Sequence, residues 1–367
     1  MKTVVYDHQI FALQQYGGIS RYFCELATRI HRDGRYSVKV VAPLHYNDYL
    51  AQCAVPVIGR HVPMRVRRTG RLYRAASGLL SLLPALGPRP AIVHRTYYGH
   101  TFAPPGVRTV VTVYDMIHEL FPQSFPPSDR TSQQKRKAVL DADLVICISS
   151  STAEDLTRLF GVSADKIRVT HLGFSDTFSQ QVVAPRSAVG RPYLLYVGHR
   201  PGYKNFDGLL RAYATSRLLR EDVDILAFGG STLSAGERDL IRQLDLREDS
   251  VRRVAGTDQE LAAAYVGALA FVYPSKYEGF GIPPLEAMAM QCPVACSNSS
   301  SIPEVVGEAA ELFDPNDSED IARAIELVCF DDDKRQELVV AGRNRLRLFS
   351  WDRCADQTAR IYTELTG

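Results

Sequence analysis

YPSKYEGFGIPPLEAMAMQCPV, Tyr273–Val294, places two glutamates, Glu278 and Glu286, around a Gly-Phe-Gly turn and a Pro-Pro pair. The apolar run Leu269–Tyr273 that leads into it reads as a strand, which Pro274 ends. Ser275–Ile282 is then the loop at the strand's carboxyl end. Pro283 and Pro284 suit the first turn of a helix, where no backbone donor is missed, and Leu285–Gln291 continues that helix. Glu278 therefore stands in the loop and Glu286 near the first helical turn. Gly279 and Gly281 let backbone approach a ligand closely. The unpaired N–H groups of the loop and helix start attract phosphate. A carboxylate on each side of an anion site fits a ligand with hydroxyls at both ends. Glu286 would face a ribose and Glu278 a sugar, with a diphosphate between them. From spacing alone, a capped helix carrying solvated acids remains the alternative.

Outward from this stretch, short β-branched runs alternate with helical patterns. The first set of expected strands is Thr3–Tyr6, Val38–Ala42, Ala91–His94, Arg108–Val113, Leu144–Ile148 and Arg168–His171. The second is Tyr193–Val197, Val223–Phe228, Arg252–Val254, Leu269–Tyr273, Pro293–Cys296 and Glu311–Phe313. Near-continuous apolar runs separated by helices read as parallel strands buried on both faces. The expected fold class is α/β, with two doubly wound parallel sheets in series. A polar, aperiodic segment between His171 and Arg191, holding Pro185, separates them as a linker. The domains are expected at 1–180 and 190–346. The segment 347–367, around Trp351, forms a closing helix that packs back toward the first domain.

The 367 residues are enough for two cores, and 46% apolar with 23% charged residues is ordinary for a globular chain. A net charge of +2 gives no global field for nucleic acid. Seven scattered cysteines, an odd number inside apolar runs, argue against a disulfide framework and for a reducing cytosol. Cys292 and Cys296 lack a second Cys or His pair and read as core residues rather than a metal site. MKTVVYDHQIF lacks the apolar stretch of a secretory leader, and no run of about 18 apolar residues suggests a membrane span. Asp331, Asp332 and Asp333 read as helix-start acids.

EGFGIPPLEAMAMQCPV resembles the Glu-x7-Glu signature of retaining glycosyltransferase family 4, whose fold is GT-B: two Rossmann-like domains facing a cleft. YGGISRYFCELA (Tyr16–Ala27), YVGHRPGYKNF (Tyr196–Phe206), SNSSSIPEVVGEAAELFDPND (Ser297–Asp317) and FSWDRCA (Phe349–Ala355) resemble further landmarks of that family. The resemblance covers nearly the whole chain, least clearly 47–90. It implies a glycosyltransferase that uses a nucleotide-diphosphate sugar, with a saccharide or lipid-linked oligosaccharide as acceptor. It implies donor contacts at Gly17, Gly18, Arg200, Lys204, Glu278, Gly279, Phe280, Gly281, Ile282 and Glu286. Arg200 and Lys204 would offset charge on the leaving diphosphate, a task a metal performs in other enzymes. No metal and no cofactor is therefore expected.

Many family members carry a histidine where this chain has Tyr114. That departure leaves Asp115 and His118 as the groups to stand nearest the reacting carbon, with Tyr114 as a shape-and-hydrogen-bond alternative. Asp7, His8, His94 and Tyr114 are the acceptor-side candidates, and His100 lies nearby in sequence. Proteins with a similar YGGISRY opening often serve bacterial surface-polysaccharide assembly with GDP-mannose, which makes mannose the expected sugar. A UDP-hexose or other donor, and a non-catalytic nucleotide-sugar-binding subunit, are the alternatives. Six arginines in RHVPMRVRRTGRLYR (Arg60–Arg74), followed by an apolar stretch, suit peripheral contact with an anionic membrane at its cytoplasmic face.

Overall fold

The computed structural model describes residues 1–62, 89–174, 178 and 191–367. The chain divides into two compact units, Met1–Gly173 together with Trp351–Gly367, and Phe174–Ser350.

In the first unit the strands are β1 (Lys2–Tyr6), β2 (Tyr36–His45), β3 (Val57–His61), β4 (Ile92–Arg95), β5 (Arg108–Val113), β6 (Leu144–Cys147) and β7 (Ile167–Val169). They lie in the order β3-β2-β1-β4-β5-β6-β7. All pairings are parallel, with Val4 opposite Val38 on one side and Ile92 on the other. The wholly buried Leu144–Cys147 run shows why these strands carry continuous apolar sequence: helices cover both faces of a parallel sheet. Helix Gly18–Asp33 crosses from β1 to β2 and stops at Gly34 in the left-handed region. Helix Trp351–Thr366 packs against it. Tyr362 then meets Tyr6, hydroxyl to hydroxyl, at 3.2 Å.

In the second unit the strands are β8 (Tyr193–Val197), β9 (Asp224–Phe228), β10 (Val251–Val254), β11 (Ala270–Tyr273), β12 (Val294–Ser297) and β13 (Glu311–Phe313). Their order is β10-β9-β8-β11-β12-β13, again parallel throughout. Phe206, Leu209 and Tyr213 from one helix, and Ile321 and Ile325 from another, fill the core against Ile225 and Val272.

Both sheets are doubly wound, as the sequence predicts, and every expected strand is present. β3 is an addition. It is an edge strand whose residues are largely exposed, so it lacks the buried apolar run that marks the others. Its pairing with β2 shifts register between Val41 and Leu44. At Gly59 an added Cβ would lie 1.7 Å from the Ala42 carbonyl oxygen, so only glycine fits there. Arg60 and His61 end this strand. The rest of the Arg60–Arg74 stretch (63–74), the apolar segment after it and most of the expected linker lie outside the described residues. Among the described residues, no helix is long and apolar enough to cross a membrane.

Candidate functional site

In each sheet the first strand of the unit pairs on its two sides with strands wound in opposite directions, and ligands of such sheets bind beyond the carboxyl ends at that point. In the second unit the switch lies between β8 and β11, where Leu194 pairs with Ala270. Two loops meet there. One runs from Gly198 to Lys204; the other runs from Pro274 to Gly281 and opens helix Ile282–Ala289. Asn205, itself left-handed at φ 57°, ties them by donating to the Pro274 carbonyl at 3.1 Å and the Pro315 carbonyl at 2.8 Å. Gly281 precedes the helix at φ 100°, a conformation that side chains rarely adopt. Pro283 and Pro284 occupy the first turn, where no donor is lost.

Lys204 Nζ lies 2.7 Å from Glu278 Oε1, with side chains 21% and 10% exposed. The ammonium also stands 5.4 Å from the Tyr203 ring centre and 5.9 Å from that of Tyr273. Glu286 is half-buried on the helix, and the Tyr265 hydroxyl donates to its Oε2 and to the Pro283 carbonyl, each at 3.3 Å. Burial holds the Tyr265 phenol far above its ordinary range, so it stays a donor. Phe280 is buried edge-on to Phe349, which makes it a packing residue of the loop, while Gly279 is buried and Ile282 half-buried.

The sequence reading missed the role of the serine run. The Glu278 N–H donates to Ser300 Oγ at 2.8 Å, and the Ser301 hydroxyl donates to the carbonyls of Glu278 and Phe280, each at 2.9 Å. Ser297 and Ser299 donate to the Ser275 carbonyl. These hydroxyls fix the backbone of the glutamate loop from the loop after β12.

Arg200 requires a correction. Its side chain is 2% exposed, with Nε 2.6 Å from Glu237 Oε1. Its Nη2 donates to the carbonyls of Ser231 at 2.7 Å and Thr232 at 3.1 Å. Glu237 and these carbonyls hold the guanidinium as a brace between the loops after β8 and β9. Glu237 is set by a capping box with Ser234.

In the first unit, Gly17 precedes helix Gly18–Asp33, and its carbonyl accepts from the Ser20 hydroxyl at 3.0 Å. Gly18 is exposed, with nothing within 4 Å of an added Cβ. Asn47, fully buried, donates to the carbonyls of Gln14 at 2.8 Å and Gln15 at 3.1 Å and so braces the approach to this turn.

Around the carboxyl ends of β1, β4 and β5, Asp7 is buried and accepts from the Thr96 N–H at 3.0 Å, from Gln9 Nε2 at 2.7 Å and from the Thr101 hydroxyl. It ties the loop after β1 to the loop after β4. His8 is buried, and burial lowers its pKa against the opposing pull of Asp7. Two expectations are corrected. His94 is completely buried, with Nδ1 2.6 Å from the Tyr362 hydroxyl and Nε2 2.9 Å from Thr112 Oγ1. Burial pushes it down to about 3. It is a core histidine, not an acceptor contact. Tyr114 is likewise buried: its hydroxyl donates to the Thr96 carbonyl at 3.3 Å and its ring packs on Tyr22 and Tyr98.

Asp115 is partly exposed, and its Oδ1 accepts from the Ile117 N–H at 3.0 Å. His118 stacks on Phe125 with ring centres 3.8 Å apart, and its pKa is lowered by burial and then by Lys135. Lys135 had no distinct sequence signal beyond its place at helical spacing with buried Ala138 and Val139. It is wholly buried and donates to the Asp115 carbonyl and to Glu119 Oε2, both at 2.8 Å. Asp331 caps its helix by accepting from the Lys334 N–H at 2.8 Å, and Asp332 pairs with Arg335.

Residues 16–178 match the family model "Glycosyltransferase Family 4", and residues 179–345 match "Glycosyl transferases group 1". The chain is 30% identical over 373 residues to O-antigen chain mannosyltransferase B of Escherichia coli, covering 94% of this chain and 95% of that protein. It is 32% identical over 235 residues to the MMP alpha-(1->4)-mannosyltransferase of Mycolicibacterium hassiacum, covering 62% of this chain and 56% of the relative. Among solved structures, sucrose-phosphate synthase from Thermosynechococcus elongatus superposes with a TM-score of 0.76 at 21% identity, over 100% of this chain and 99% of the other. That likeness confirms the fold. Two adjoining family models and a relative matched over nearly its full length agree with the loops just described: this chain belongs to the family 4, group 1 glycosyltransferases.

Proposed function

We propose that the protein is a retaining mannosyltransferase that takes mannose from GDP-mannose and passes it to a saccharide or lipid-linked acceptor in polysaccharide biosynthesis. The observation that carries this reading is the meeting of Lys204 and Glu278 at the switch point, 2.7 Å apart, on the loop that opens the helix carrying Glu286. A cation and two carboxylates on fixed loops match the diphosphate, the sugar and the ribose of one nucleotide sugar. The choice of mannose rests on the two mannosyltransferase relatives.

In this reading Lys204 and the Gly279–Gly281 amides hold the diphosphate. Glu286 binds ribose hydroxyls and Glu278 orients the sugar, while Phe280 and Ile282 shape the loop. The Gly17–Gly18 turn is assigned in this reading as a backbone approach for phosphate. On the acceptor side, Asp115 and His118 are the groups that receive the attacking hydroxyl, and His8 is a further contact. Tyr114 and Asp7 shape that region from below the surface. The acceptor oxygen bonds to the anomeric carbon on the face from which the diphosphate departs. The carbon–oxygen bond to phosphate breaks, and the acceptor proton passes to the leaving phosphate oxygen. Configuration is retained, and Lys204 supplies charge that a metal would otherwise supply. Peripheral docking on anionic lipid through Arg60–Arg74 completes the reading.

The test is thermal-shift binding with GDP, UDP, ADP, dTDP and CMP, each with and without magnesium. A rise with GDP alone, equal in both conditions, is the expected result. A rise with another diphosphate moves the donor assignment to that base. No rise with any of them removes the assignment of this site. The anomeric configuration of the product, read by NMR, decides retention.

A further inference from the structure

Six of the seven cysteines are buried, and Cys53 is the one that reaches solvent. The fold brings it against Cys24. Cys24 lies on the buried side of helix Gly18–Asp33, and Cys53 follows the short helix Asp48–Ala51. Cys53 Sγ is 3.5 Å from the Cys24 carbonyl oxygen, which sets its sulfur beside the Cys24 thiol. Thr28 Oγ1 stands 3.4 Å from the same sulfur. The surroundings divide the pair into unequal partners. Hydrogen bonds from Cys24, Thr28 and the Ala54 backbone lower the Cys53 pKa, against the opposing effect of burial. The bond to Cys53, and then burial, push the Cys24 thiol up. Cys147, Cys292, Cys296, Cys329 and Cys354 are buried and held up by burial; Cys292 and Cys329 feel each other's charge, but both lie in the interior.

We infer that Cys53 and Cys24 form a peroxide-sensitive modification site, with Cys53 as the attacking thiol and Cys24 as the resolving one. An accessible thiol supported by hydrogen-bond donors and set beside a second thiol is the arrangement from which sulfenic acid passes to disulfide. The Cys53 thiolate attacks one oxygen of hydrogen peroxide, the O–O bond breaks and hydroxide leaves. The Cys24 sulfur then attacks the sulfenic sulfur, the S–O bond breaks and water leaves. Two thiols give up two electrons and two protons, and peroxide becomes two waters. The disulfide staples helix Gly18–Asp33 to the segment whose Asn47 holds the Gln14 and Gln15 carbonyls, so it stiffens the approach to the Gly17–Gly18 turn. A thiol reductant reverses it.

The full chain, reduced and then exposed to a small excess of hydrogen peroxide, is mapped by mass spectrometry without reduction. Native iodoacetamide labelling of the reduced chain should reach Cys53 first. Peroxide should yield one linked peptide pair, Cys24 with Cys53, and dithiothreitol should restore both thiols. Cys24→Ser should stop at a Cys53 sulfenic acid that dimedone traps, and Cys53→Ser should leave Cys24 reduced. The oxidised wild type should melt higher than the reduced protein, and the Cys24→Ser protein should show no such rise. Cys53 that stays a thiol, passes to sulfinic acid without a linked peptide, or pairs with a different cysteine would overturn the inference.

Discussion

Lys204 and Glu278, 74 residues apart in sequence, meet at 2.7 Å where the loops after β8 and β11 converge. The lysine reaches this point because its 3-10 turn ends at Asn205, which grips the neighbouring loop. The glutamate reaches it because serines from the loop after β12 hold its backbone. The pair is thus a product of strand order.

Removing one partner should cost more in binding than in fold. Lys204→Ala is expected to lower nucleotide-diphosphate affinity by about 10- to 100-fold, the loss of roughly 1.4–2.8 kcal/mol of charge-assisted contact. Lys204→Ala or Glu286→Ala should nearly abolish transfer. A double-mutant cycle with Glu278→Gln should give a coupling energy of about 0.5–3 kcal/mol. Calorimetric binding of the diphosphate across the cycle checks it; strictly additive losses would mean that the two side chains do not act together.

Tyr265→Phe removes the donor that holds Glu286 Oε2 while keeping the ring against Phe178 and Phe271. Loss of a buried hydrogen bond should destabilise the second unit by about 1 kcal/mol. Affinity for a ribonucleoside diphosphate should fall about fivefold, since 1.4 kcal/mol is tenfold. Affinity for the 2′,3′-dideoxy analogue should hold. Equal losses for both nucleotides would show that the tyrosine only supports packing.

Lys135 is a fully buried cation whose partner Glu119 is 5% exposed. Lys135→Met leaves that carboxylate unpaired and should cost about 3–5 kcal/mol. Adding Glu119→Gln should return most of the loss, because burying a neutral amide is far cheaper than burying a lone charge. Urea midpoints for the two singles and the double measure it. A double variant as unstable as Lys135→Met alone would contradict the ion-pair account.

His94 gives the first unit a pH dependence. Burial holds it down to about 3, below its ordinary 6.5. The unfolded chain therefore binds a proton that the folded chain refuses between those values. Stability from this group is full above pH 6.5 and falls as pH drops toward 3. Between pH 6.5 and 5 the loss should reach about 2 kcal/mol, at 1.36 kcal/mol per unit. His94→Gln should start less stable at pH 7 and lose less on acidification. Denaturant midpoints at pH 7 and 5 compare the two; parallel acid losses would rule out His94 as the titrating group.

The sequence by itself determined the two doubly wound sheets, because strands buried on both faces must be apolar throughout and their loops must break at glycine and proline. It also marked the glutamate loop, since Gly281 and the Pro283–Pro284 pair are local backbone requirements. It did not reveal β3, an exposed edge strand free of any demand for apolar residues. Nor did it separate Arg200 from Lys204, two cations on one loop. Only the tertiary structure did that, by placing Glu237 and two carbonyls from the β9 loop around the guanidinium and leaving Lys204 to Glu278. The same holds for His94, an acceptor-side candidate in the sequence, over which Tyr362 and Thr112 close from other segments. Local conformation is written residue by residue, whereas the partner of a buried charge is chosen by which strands the fold makes neighbours.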